Sequence, residues 1–296
     1  MDRNGAEPPV CAGPQLQTRP PSFSVPAGAA DCHAHVFGPR GRYPYAAKRY
    51  YSPPPVFLAD YLAMLDALGL ARGVLVQTAV HGIDNRVVLD AIAAHPDRLR
   101  AVALIDESFD DAALDALHRG GVRGFRANLV AKIGVQLDAA RALAGRVARL
   151  GWHVQFLLDV ESFPDLDRVL GDFPTDVVID HMGRPDPARG PDAPGFQALI
   201  RLLRSGRGWT KLSAPYRTSR VQPGYTDMRV FAQALIEVAP DRLVWGGDWP
   251  HVTLEAPMPN DGDLLDLLAV WAPDPQLRAK ILVDNPVALY GFSRPV

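Results

Sequence analysis

RGVLVQTAVHGIDNRVVLDAIAAHPDRLRAVALID, residues 72–106, spells a strand, a helix and a second strand in succession. RGVLVQT (72–78) and RAVALID (100–106) are short, nearly continuous apolar runs closed by polar residues. Such continuity implies burial on both faces, as in a parallel sheet. RVVLDAIAAH between them has the spacing of an amphipathic helix. The alternation extends in both directions. Further strand-like runs are AADCHAH (29–35), VRGFRAN (122–128), HVQFLLD (153–159), DVVIDHM (176–182), GWTKLSA (208–214) and RLVWGGD (242–248). Amphipathic stretches separate or follow them, among them VFLADYLAMLDALG, DAALDALHRG, AARALAGRVARL, FQALIRLLRS and GDLLDLLAVW. Eight strand–helix units in about 265 residues predict an α/β fold, a (β/α)8 TIM-type barrel. A doubly wound open sheet is the competitor, but no G-x-G-x-x-G follows any strand.

The 296 residues, 48% hydrophobic and 22% charged, suffice for one large core. Net charge is −2, from 31 basic and 33 acidic residues, which argues against a nucleic-acid partner. No run approaches the roughly 18 apolar residues of a membrane span. Six of the 28 prolines fall in residues 1–28, a segment without apolar periodicity. It reads as a loosely ordered, dispensable extension, followed by a single barrel domain over 29–296. Cys11 lies in that extension and Cys32 in a strand, so a disulfide is not expected and a reduced, cytoplasmic protein is.

In a barrel of this kind the chemistry sits at the C-terminal ends of the strands. In chain order those ends offer His33 and His35, Gln77-Thr78, Arg126 and Asn128, then Asp159. His181 with Arg184, Ser213 with Arg217, and Asp248 with His251 complete the set. Strand alternation puts His33 and His35 on one face and Cys32 and Ala34 on the other. Arg126, Arg184 and Arg217 would repel one another unless an anion lay between them, which points to a doubly anionic ligand. Arg220 is an alternative to Arg217. His81, His95, His118 and His153 read as surface or helix-end histidines, with His153 at the wrong end of its strand. Asp180 reads as structural, on the face opposite His181, and Asn285-Pro286 as a helix start.

DCHAHVFGP, VQTAVHGIDNR, GVRGFRANLV, GWHV, VVIDHMGRPD, RLVWGGDWPH and LVDNPVALYG together carry a resemblance. The chain after residue 28 resembles the amidohydrolase superfamily, and within it the 2-pyrone-4,6-dicarboxylate lactonase group. The resemblance implies a distorted (β/α)8 barrel. It further implies hydrolysis of a small anionic lactone by a carboxylic-ester hydrolase, with Asp248 as general base on water. His33, His35 and His181 would be donors to the carbonyl oxygen, each preorganised donor being worth about 3 kcal/mol. Arg126, Arg184 and Arg217 would hold carboxylates, assisted by Lys132, Tyr51 and Thr78, which match family positions. The usual two-metal set is incomplete, because strand four ends in Arg126 and Asn128 and His153 begins its strand. The lactonase group implies no metal cofactor. One zinc on His33, His35, His181 and Asp248 is the alternative. Lys132 and Leu157 replace an arginine and a tyrosine of the pyrone-dicarboxylate hydrolases. That leaves sulfo- or carboxymuconolactones and sugar-acid lactones as rival substrates, and a zinc-dependent decarboxylase as a rival activity. The expected assembly is a monomer or small homo-oligomer.

Overall fold

A computed structural model describes residues 7–131, 134–255 and 257–294. Eight parallel strands follow one another in sequence order around a barrel. They are β1 (Ala30–Ala34), β2 (Arg72–Val76), β3 (Leu99–Ala103) and β4 (Val122–Asn128). β5 (His153–Leu157), β6 (Val177–Ile179), β7 (Gly208–Ser213) and β8 (Leu243–Gly246) complete the circuit. The helices wrap the outside. In chain order the first eight are α1 (Leu58–Leu68), α2 (Arg86–Ala94), α3 (Asp111–Arg119), α4 (Leu137–Val147), α5 (Leu166–Gly171), α6 (Pro194–Arg204), α7 (Arg229–Val238) and α8 (Asp261–Trp271). None of the described helices is long and apolar enough to cross a membrane.

Most strands stop short of their apolar runs, β6 most of all. His35, Gln77, Thr78, His181 and Asp248 therefore lie just past the strand ends. There the backbone is free to aim each side chain separately. Strict alternation also fails in β1. Its register against β2 shifts between Asp31 and Ala34. Cys32 packs with Val74, Val102, Val178 and Val244, yet the next residue, His33, also meets interior groups.

β1 and β8 close the barrel at its mouth. The Asp248 amide donates to His33 O at 2.8 Å, and the His35 amide donates to Trp249 O at 2.7 Å. The approach requires glycine at 246, where a Cβ would lie 2.7 Å from that of His33. At the opposite end Tyr290 and Phe292 plug the barrel.

Composition suggested a loose extension, but residues 7–28 make backbone contacts with the rest of the chain. The Cys11 amide donates to Ser52 O at 2.9 Å and the Ser52 amide to Pro9 O at 2.8 Å. Further on, the Arg19 amide donates to Asn260 Oδ1 at 2.9 Å, and the Ser22 amide to Asp266 Oδ1 at 2.6 Å. Backbone groups, which composition does not register, hold this segment to the mouth and to α8.

Candidate active site

The turns after β6 and β8 are wound unusually. His181, Met182 and Arg184 have φ of 55°, 55° and 52°, and Asp248 and His251 have φ of 64° and 59°. A side chain in this left-handed region costs of order 1–3 kcal/mol, which the surroundings must offset. Part of the offset comes from Asp31, unread in the sequence. Its Oδ1 accepts from the His33 and Gly247 amides, both at 3.0 Å, and its Oδ2 from the Tyr61 hydroxyl of α1 at 3.0 Å. Strand one, strand eight and a helix are thus pinned to one buried carboxylate.

The imidazoles converge on a single oxygen. His35, His33 and His181 point Nε2 at Asp248 Oδ1 from 3.5, 3.6 and 4.0 Å. The other carboxylate oxygen is already occupied. Asp248 Oδ2 accepts from the Tyr216 hydroxyl at 2.8 Å and from Arg217 Nε at 2.7 Å and Nη2 at 2.6 Å. Burial opposes this charge, but the Arg217 guanidinium holds the Asp248 carboxyl well below its ordinary range. Asp248 Oδ1 and His33 Nε2 have no hydrogen-bond partner of their own.

The rings differ on their far sides. His35 Nδ1 is 2.7 Å from Val76 O, a group that can only accept. In its neutral form His35 therefore carries its proton on Nδ1 and turns a lone pair to Asp248, and only the doubly protonated ring donates from Nε2. His181 Nδ1 meets the Ser213 hydroxyl at 2.8 Å, which can give or take. Burial pushes His181 down to about 3, against the pull of Asp248 and Asp180, and lowers His33 strongly as well.

Asp180 is not set apart from the site. It sits inside the barrel, 3.1 Å from Arg126, 3.2 Å from His33 Nδ1 and 3.5 Å from Lys211. Lys211 Nζ also donates to Gln155 Oε1 at 2.7 Å and to Cys32 O at 2.9 Å. Neither Lys211 nor Gln155 was singled out in the sequence. Both are inward residues of apolar-looking strands, and only the barrel's closure brings them beneath His33.

Above this floor lies a cavity of about 190 Å³. Arg126, Arg184 and Arg217 line it, as do Tyr51, Thr78 and Leu157. The expected mutual repulsion of the arginines does not arise, because each has its own carboxylate. Arg126 pairs with Asp180, Arg217 with Asp248, and Arg184 with Asp159 at 2.6 Å. Arg220 is outside the cavity wall and pairs with Asp186. Lys132 lies outside the described residues. His81 and His153 are buried rather than superficial. The Tyr216 hydroxyl gives its one hydrogen to Asp248, so at 2.8 Å it accepts from His251 Nδ1–H, and His251, set aside in the sequence, backs Asp248 through it.

His33, His35 and Asp248 bring ligating atoms within 4.8 Å of one another. Two imidazoles and a carboxylate, with His181 beside them, are donors that suit a single zinc ion. The unpartnered Nε2 of His33 and Oδ1 of Asp248 fit that use.

Comparison with known proteins agrees with this architecture. The amidohydrolase family profile matches residues 30–292. A 2-pyrone-4,6-dicarboxylate hydrolase of Comamonas testosteroni is 42% identical over 281 residues, covering 91% of this chain and 92% of the relative. A 4-sulfomuconolactone hydrolase of Rhizobium radiobacter is 41% identical over 288 residues, covering 96% of each chain. An apo crystal structure from Agrobacterium tumefaciens superposes with a TM-score of 0.85 at 30% identity, over 93% of this chain and all of that one.

Proposed function

The chain belongs to the amidohydrolase family, and from that footing we propose that it opens a small anionic lactone by hydrolysis, with 2-pyrone-4,6-dicarboxylate or a close relative as substrate. The observation that carries this reading is one ionised, unpartnered oxygen, Asp248 Oδ1, at the floor of a cavity lined by Arg126, Arg184 and Arg217. Hydrolysis needs a base for water and donors for the oxyanion, and a dianionic ring needs guanidinium groups to hold it.

Asp248 Oδ1 takes the proton of the attacking water while Tyr216 and Arg217 keep Oδ2 fixed. The developing charge on the carbonyl oxygen is met by those of His33 and His181 that carry hydrogen on Nε2. His35 orients the reacting groups as an acceptor. Arg126 and Arg184 take the substrate's carboxylates, with Tyr51 and Thr78 as further contacts. Zinc, if resident, would be held by His33, His35, His181 and Asp248 and would supply Lewis acidity to the carbonyl. Our reading is metal-free because Arg217, Lys211 and Arg126 already place positive charge against Asp248, His33 and Asp180. A dication would add to that charge.

Leu157 bears on a second reading. It gives the cavity an apolar wall that holds neither a carboxylate nor a sulfonate by itself, and the 41% identity to a 4-sulfomuconolactone hydrolase makes a sulfonated muconolactone the second candidate. A panel of carboxylated and sulfonated lactones, assayed with and without a chelator, tests both. The expected result is chelator-insensitive opening of the pyrone dicarboxylate. Turnover of none of the lactones would overturn the proposal.

A further inference from the structure

We propose that Lys211 sets the tautomer of His33, making the strand-one histidines a donor–acceptor pair and keeping the affinity of the site for zinc low. An ammonium group has three hydrogens and no lone pair. Lys211 Nζ is fully buried, gives one hydrogen to Cys32 O at 2.9 Å and another to Gln155 Oε1 at 2.7 Å, and lies 3.2 Å from His33 Nδ1. The third hydrogen has His33 Nδ1 as its acceptor. That ring therefore carries its own proton on Nε2, facing Asp248 Oδ1 at 3.6 Å.

Asp180 is the competing partner, since its Oδ1 is 3.2 Å from the same nitrogen. That oxygen nevertheless takes no hydrogen bond. The carboxylate lies off the line of the ring N–H and serves as counter-ion to Lys211 and Arg126. His35, two residues on, has the opposite arrangement, because Val76 O fixes its proton on Nδ1. Two histidines on one strand thus present a hydrogen and a lone pair to the same carboxylate oxygen.

The division bears on metal binding. Zinc needs the Nε2 lone pair of each ring. For His33 to supply one, its proton must move to Nδ1, where it would face the Lys211 ammonium. Lys211 is in this sense a positioning residue, acting through His33 on whatever lies above it. The inference rests on contacts within the barrel and holds whichever lactone is the substrate.

The test uses the full chain, stripped with chelator. Long-range proton–nitrogen NMR of protein labelled with 15N-histidine reads each tautomer, with His33→Asn identifying the His33 signals. Calorimetric titration with zinc alone reads affinity. The expected result is an Nε2–H tautomer for His33, an Nδ1–H tautomer for His35, and zinc affinity about tenfold or more higher in Lys211→Met, which corresponds to one decade in Kd. Lys211→Arg, which keeps a donor, should stay near the wild type. An Nδ1–H tautomer for His33 in the wild type, or equal zinc affinity in wild type and Lys211→Met, would overturn the proposal. Because Lys211→Met leaves Asp180 with less counter-charge, the wild-type spectrum decides by itself if that variant does not fold.

Discussion

His153 and His181 sit at opposite ends of the same barrel, and in both burial lowers the ring to about 3. Their surroundings differ. His153, first residue of β5, has no partner on either ring nitrogen and lies edge-on to the Tyr290 ring at 5.4 Å. His181, just past β6, is held by Ser213 and aimed at the oxygen that His33 and His35 also face. In these two rings a displaced titration marks burial and nothing more. Convergence of several groups on one point is what separates a site from a core.

The largest effect expected from that contrast is on turnover. Asp248→Asn keeps the shape of the side chain and removes the base, so kcat should fall by about two to four orders of magnitude. His153→Leu should leave kcat within about twofold and stability equal or improved, since it removes buried nitrogens that make no bond. Steady-state kinetics on both variants would break the comparison if His153→Leu lost turnover on the scale of Asp248→Asn.

Next come the arginines, which divide in the same way. Arg217 is buried against Asp248, whereas Asp159, the partner of Arg184, is 42% exposed. Removing one member of a buried pair costs about 3–5 kcal/mol. Arg217→Met should therefore lose that much in denaturant unfolding and lose kcat as well. Arg184→Met should mainly raise KM, by about 1.5–3 kcal/mol of lost charge-assisted bonding, with the fold intact. A KM unchanged in Arg184→Met would remove it from substrate binding.

The acid limb sharpens the contrast further. His153 and His181 stay neutral when folded down to about 3. In the unfolded chain the same rings protonate near pH 6.5. The unfolded state then binds more protons below that pH, and stability falls as pH drops from about 6.5 toward 3, by roughly 1.4 kcal/mol per unit for each ring. Asp248, held well below its ordinary range, contributes stability that is lost progressively as pH falls from the ordinary carboxylate range downward. Activity therefore should not fade through ordinary carboxylate titration, contrary to what an unperturbed aspartate would give. Thermal melts across this range should show a slope about one proton shallower in His153→Leu, with the kcat profile unmoved. An unchanged slope would mean that His153 is not titrating as its burial implies.

Much of this was legible in the sequence because it follows from periodicity and strand ends. Alternating strands and helices gave the barrel, and its mouth rule gave His33, His35, His181 and Asp248 as one group. Other features have no local signature. Lys211 and Gln155 look like polar interruptions of β7 and β5 until the barrel closes. Asp31 and Tyr216 act by hydrogen bonds to residues far along the chain, at Gly247 and Asp248. The direction of the His35 proton depends on Val76 O, a backbone atom no composition encodes. The pairing of each arginine with its own aspartate was hidden for the same reason.

The N-terminal segment shows that limit in its mildest form and gives the smallest effect. Residues 7–28 bury little apolar surface, but they are anchored at two places. Near the mouth, residues 9–11 bond to Ser52, beside the cavity residue Tyr51, and the Thr253 amide donates to Cys11 Sγ at 3.3 Å. Farther along, Asn260 donates to Gln17 O at 2.9 Å, and a Cβ on Gly262 would come within 2.1 Å of Arg19 O. The Arg19–Asp263 pair is more than half exposed on both sides and contributes little. The backbone bonds contribute about 0.5–1.5 kcal/mol each at most. Deleting residues 1–22 should then lower Tm by several degrees, at about 2–4 °C for each kcal/mol lost. It should also raise KM more than it lowers kcat, since Tyr51 and Thr253 lose their backing while the floor around Asp248 is untouched. Gly262→Ala should reproduce the part of the Tm loss that comes from the α8 anchor and leave KM alone. If the deletion left both Tm and KM at wild-type values, the segment would be the dispensable extension its composition describes, and the contacts with Ser52 and Asn260 would carry no weight in solution.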